Sequence, residues 1–204
     1  MMGPKIRDLI AAITSVALVN FGGPAANAAG IFTLESATFQ DGKMMPQKTA
    51  NSKANVPNNP NCIGENISPQ LSWTNVSDGT KSFILLVNDP QAGGGAGFSH
   101  FVAYGIPVSV TSFAEGELSK PSDKYVGGIN GFGTGIFGGP CVPPNTSPHH
   151  YVFVLIATDF EPKDLPPGLT RDGALMKLIS PGQPPAHTKA TTSLVGLFVN
   201  PWHP

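Results

Sequence analysis

The sequence predicts a mainly β fold: one antiparallel β-sheet domain with peripheral and C-terminal helices. Three observations carry this. Residues 82–88 and 151–158 are apolar runs of strand length, too short for buried helices. The 24 Gly and 21 Pro are spread along the chain without tandem repeats, which suits many turns and long loops. The only helical pattern comes late and no strand–helix–strand alternation precedes it, which disfavours a doubly wound parallel sheet.

The elements follow in order. Lys5 and Arg7 precede an apolar run over 9–21, and Ala26-Asn27-Ala28 has the A-x-A form of a cleavage site. Residues 1–28 therefore read as a signal peptide, and 29–204 as one domain of a secreted or periplasmic protein. The alternative is an uncleaved anchor, but the run is shorter than the ~20 residues a span needs. No second stretch is apolar enough to span a bilayer, so no membrane span is expected in the mature chain. Residues 31–39 begin as a strand, with Ile31 and Thr33 on one face and Phe32 and Leu34 on the other. Residues 40–61 are polar, rich in Asn, Lys and Pro, and without periodicity, which reads as a long exposed loop. Residues 68–73 lead into a short strand ending at Trp73, and 75–80 form a turn cluster. The run at 82–88 is a central strand, 93–97 a glycine loop, 98–107 the next strand, and 151–158 a second central strand. The segment 108–124 shows no clear preference, and 126–148 is rich in Gly, Pro and Asn and devoid of charge. A helix is expected over 170–179, with Thr170 as N-cap, Asp172 in the first turn and Pro181 as stop. Residues 186–198 fit either a helical turn or a strand, because Thr191, Thr192 and Val195 are β-branched.

Composition excludes some functions. Net charge is −1, only 12% of residues are charged, and no basic run exists to track a phosphate backbone, so no nucleic-acid partner is expected. Cys62 and Cys141 in an exported chain form a disulfide candidate, worth roughly 4 kcal/mol for a loop of about eighty residues; two separate buried thiols are the alternative.

The chemistry-bearing residues form two islands. Asp89 ends an apolar strand before Pro90, where it either accepts backbone N–H bonds in an Asx turn or serves as the acid of a pocket wall. His100 sits between aromatic residues, as a satisfied core histidine or as a site residue brought to Asp89 by hairpin pairing. His149 and His150 are adjacent, so on a strand they face opposite ways, and a metal site using both is disfavoured. Asp89, His100 and His149 match no compact metal motif, and no cofactor is implied. Residues 138–144 form a proline-locked loop whose glycines let backbone N–H groups approach an anion, or else a rigid structural loop. No Gly-x-Ser-x-Gly motif is present.

Taken in order, Cys62-x-Gly64-Glu65-Asn66-Ile67-Ser68-Pro69-x-Leu71-Ser72-Trp73, Asp89-Pro90-x-Ala92, His100, Gly139-Pro140-Cys141-x-Pro143-Pro144 and His149-x-Tyr151-x-Phe153 resemble the phosphatidylethanolamine-binding protein family, in its bacterial Raf-kinase-inhibitor-like branch. The resemblance runs over residues 32–198. It implies a compact antiparallel β fold with a small anion pocket on Asp89, His100 and His149, walled by the backbone at Gly138, Gly139, Pro140 and Cys141 and by Tyr151. It further implies a small anionic ligand or phospholipid head group as partner and binding without catalysis. The alternative is a protein-interaction role, as a protease inhibitor or modulator of a host or signalling protein. The chain departs from the family pattern where Gln91 and Gly93 replace an acid and a proline, and where His150 replaces an arginine.

Overall fold

The two apolar runs become neighbours at the centre of one sheet. The computed structural model describes residues 30–179 and 187–201; the expected leader and the helix stop at Pro181 lie outside them. In chain order the strands are β1 Thr33–Glu35, β2 Lys43–Met44, β3 Leu71–Thr74, β4 Ser82–Asp89, β5 Phe98–Pro107, β6 Ser112–Phe113, β7 Val126–Gly127, β8 His149–Thr158 and β9 Thr188–Phe198. One helix, α1 (Arg171–Leu178), lies between the last two. Six strands form a sheet in the order β2-β9-β8-β4-β5-β7, and three form a second sheet in the order β1-β3-β6. All pairings are antiparallel except β2 with β9.

β4 carries no polar alternation because both of its faces are covered. Phe83, Leu85 and Val87 pack into the core shared with the small sheet, where Trp73 meets Phe83 edge-on at 5.4 Å. Ile84 and Leu86 pack with Val102 and Tyr104 against Ala174 and Leu178 of α1. The helix starts where the sequence places it: the Gly173 N–H donates to the Thr170 hydroxyl at 3.2 Å. Among the described residues no helix is long and apolar enough to cross a membrane.

The fold settles one open alternative and corrects one expectation. Residues 188–198 are a strand paired with β8 from His149↔Phe198 to Thr158↔Thr188. Its Thr residues fit a pleated, half-exposed surface, and Leu194 and Phe198 supply the buried side. The segment 40–61 is not simply an exposed loop. It contributes β2 and a 3-10 turn at Gln47–Thr49, and it buries Met45, Thr49, Ala50 and Asn51. Its hydrogen bonds explain the order: Met45 donates to Leu197, Asn51 to Pro140, and Asn66 donates to Ala50. The pairings are non-local, so no local periodicity announces them.

Candidate functional site

Three neighbouring strands, β5, β4 and β8, bring Asp89, His100 and His149 to one end of the large sheet. There they line a cavity of about 430 Å³ together with Tyr151, Phe98, Phe132, Cys141, Val142 and Pro143. A larger open groove of about 760 Å³, lined by Asn55, Glu65, Glu115 and Lys120, holds none of the expected site residues. Convergence of titratable groups, not volume, marks the smaller cavity as the candidate.

Asp89 fills both roles that the sequence leaves open. Its Oδ1 accepts from the backbone N–H groups of Gln91 (2.9 Å) and Ala92 (3.1 Å), which is the turn. Its Oδ2 accepts from His149 Nδ1 at 2.7 Å, which orients the imidazole. Asp89 is 1% exposed, so its carboxylate is held almost wholly among its protein partners at the cavity wall. Tyr151 lies beside it, and burial, then the Asp89 charge, hold the phenol well above its ordinary pKa.

His100 reaches the site through a β-bulge. Val87 pairs with Phe101 but Asn88 pairs with Ser99, so His100 is the extra residue. Strict alternation from Phe101 and Ala103, which face the large core, would send His100 to the α1 side. The bulge instead sets its ring 4.9 Å from Tyr151, with Phe98 and Phe132 edge-on at 5.0 and 5.6 Å. His100 Nδ1 donates to the Gly138 carbonyl at 2.6 Å, and the Gly138 N–H donates back to the His100 carbonyl at 3.0 Å. Burial lowers the His100 pKa, outweighing the Gly138 bond and the Asp89 charge, which act the other way.

The loop after β7 behaves differently from an anion cradle. The Gly138 N–H is spent on His100, the Gly139 N–H on Asn66 Oδ1 (2.7 Å), and the Pro140 carbonyl on Asn51. Gly139 and Pro140 are buried behind the wall; Cys141, Val142 and Pro143 are the loop residues that line the cavity. A Cβ at Gly138 would run into the Phe132 ring, so that glycine is there for close packing. Cys141 is bridged to Cys62, which fixes the lining to the 40–66 segment.

His149 and His150 do face opposite ways. His150 is exposed and meets Gln91: its backbone N–H donates to Gln91 Oε1 at 3.1 Å, and Gln91 Nε2 donates to its Nδ1. Two of the three positions that depart from the family pattern, Gln91 and His150, are therefore partners across the rim. Sequence reasoning missed this pair, and it missed Phe132, which sits in a glycine-rich stretch with no periodicity. It also gave no role to Asn66, whose amide holds both Gly139 and the Phe137 carbonyl.

The family model described as Phosphatidylethanolamine-binding protein matches residues 35–189, most of this fold and all of the cavity's strands. The chain belongs to the phosphatidylethanolamine-binding protein family. Among similar proteins, it is 39% identical over 118 residues to a UPF0098 protein of Aquifex aeolicus, covering 57% of this chain and 68% of that one. It is 34% identical over 145 residues to LppC, a protein of Mycobacterium tuberculosis named as a candidate lipoprotein, covering 71% of this chain and 64% of that one. The crystal structure of Escherichia coli YbcL, titled a new member of the mammalian PEBP family, superposes with a TM-score of 0.70 at 29% identity, covering 82% of this chain and 98% of that one.

Proposed function

We propose that this protein is an exported small-ligand-binding protein, without catalytic turnover, that holds a phosphate-like or carboxylate oxyanion in the cavity at the ends of β4, β5 and β8. One observation carries the reading: Asp89 is consumed by its turn and by His149, so the ionisable groups left to a ligand are the imidazole nitrogens and the Tyr151 hydroxyl, set among aromatic rings. An imidazolium donates to an anion, and Phe98 and Phe132 provide an apolar wall for the rest of a small ligand, including a phospholipid head group. Export is supported by the Cys62–Cys141 bridge and by the lipoprotein name of the mycobacterial relative.

Calorimetric titration of phosphoethanolamine into wild type and His149→Ala tests this. The wild type is expected to bind, and the variant to bind at least about tenfold more weakly, a difference of about 1.4 kcal/mol. Equal affinity in the two, or no binding in either, removes the assignment. Turnover of phosphoesters by the wild type, lost in His100→Ala, would make it a hydrolase instead.

A further inference from the structure

His100 and His149 face one cavity but do not offer it the same chemistry. A carbonyl only accepts, so the 2.6 Å contact with Gly138 places the His100 proton on Nδ1. Nε2 of the neutral ring is then an acceptor, and among the described residues the ring's one hydrogen bond is the Nδ1 bond to Gly138. Burial, the largest influence on the ring, lowers its pKa and disfavours the protonated form. His149 Nδ1 also donates, but to the Asp89 carboxylate, a negatively charged partner that the Gly138 carbonyl is not. Among the described residues, the titratable groups facing the cavity are Asp89, His100, His149 and Tyr151, and the lining includes no Lys or Arg. One wall is a fixed acceptor, and among the described residues no permanent cation shares the cavity with Asp89.

We propose that the cavity selects a singly protonated oxyanion, whose O–H donates to His100 Nε2 while its ionised oxygen meets His149. This rests on the oxyanion reading above and narrows it. A phosphomonoester monoanion carries both groups. A phosphodiester or a sulfate ester of the same charge carries only the second. Against His100 such a ligand sets lone pair against lone pair and leaves a buried acceptor unpaired. Sites built to bond a ligand hydroxyl reject analogues without it by large factors. Free phosphomonoesters are therefore favoured over the diester head group of an intact phospholipid.

The test uses methyl phosphate and methyl sulfate at about pH 5.5, just below the second phosphate pKa of ~6. Both are then mainly singly charged and nearly isosteric, and they differ by one proton. Wild type is expected to bind methyl phosphate at least about tenfold more tightly. Glycerophosphoethanolamine, a diester, is expected to bind no better than methyl sulfate. Equal affinity for methyl phosphate and methyl sulfate, with His149→Ala weakening both, overturns the selection and leaves the oxyanion pocket standing. Binding of neither overturns both. His100→Phe, which keeps the aromatic packing and deletes the acceptor, is expected to bring the two ligands within about twofold of each other. The wild-type comparison decides the matter even if that variant does not fold.

Discussion

His149 Nδ1 lies 2.7 Å from Asp89, and His187 Nδ1 lies 2.8 Å from Asp159. The pairs have the same chemistry and length but different settings. Side-chain exposure is 16% and 2% in the first and 39% and 27% in the second. Asp159 is shared with Lys189 at 2.9 Å, and its pKa is lowered by that lysine first and by His187 second. The His187 ring stacks on Phe160 at 4.2 Å. Asp89 has its turn N–H groups and His149 around it, and the His149 ring borders a cavity. A short His–Asp distance therefore does not identify a site. What distinguishes the first pair is a buried carboxylate that fixes one ring nitrogen and leaves the other facing enclosed space. An exposed pair is worth at most about 1 kcal/mol, whereas breaking a buried one costs roughly 3–5 kcal/mol.

The contrast can be tested in steps of decreasing effect. Replacing Cys62 and Cys141 by Ser removes the bridge that anchors only the buried pair's surroundings. Across a separation of 79 residues the expected loss is about 4 kcal/mol, read by denaturant unfolding. Asp89→Ala should cost about 3 kcal/mol, because it strips an acceptor from two backbone donors and an imidazole. If Asp89→Ala proves as mild as the same change at Asp159, the distinction between the pairs collapses. The third step is pH. The folded His100 ring binds its proton only below the ordinary 6.5, so as pH falls through that value the unfolded chain takes up a proton that the folded chain refuses. Stability then falls with falling pH, by at most about 1.4 kcal/mol per pH unit from this one group. His100→Phe should flatten that slope in thermal unfolding measured from neutral to mildly acidic pH. The smallest effect belongs to Asp159→Ala, at most about 1 kcal/mol and shrinking with added salt.

How legible the molecule is depends on how local each cause is. β4 and β8 read clearly because burial on both faces makes unbroken apolar runs, and α1 because Thr170 is a local cap. Asp89, His100 and His149 were legible as candidates from residue type and order, and Cys62 with Cys141 as a bridge. The site's wiring was not. The bulge that turns His100 inward depends on the register between β4 and β5, which no run of residues encodes. The Gly139 N–H looked free for an anion because its partner, Asn66, lies 73 residues away. Residues 45–51 looked like loop because their burial comes from β9 and the 137–140 wall rather than from neighbours in sequence. Gln91 and His150 looked like two separate losses until the fold placed them in contact.

The strand order also sets a schedule for the growing chain. β4 sits between β5 and β8, yet sixty residues separate its last residue, Asp89, from the first residue of β8. A chain made from its N-terminus can close the β4–β5 hairpin before β8 exists. Until residues 149–158 arrive, β4 presents one of its most apolar edges unpaired, an open template for another chain. The strand that covers this edge is the one that delivers His149, so completion of the sheet and completion of the site are a single late event in assembly.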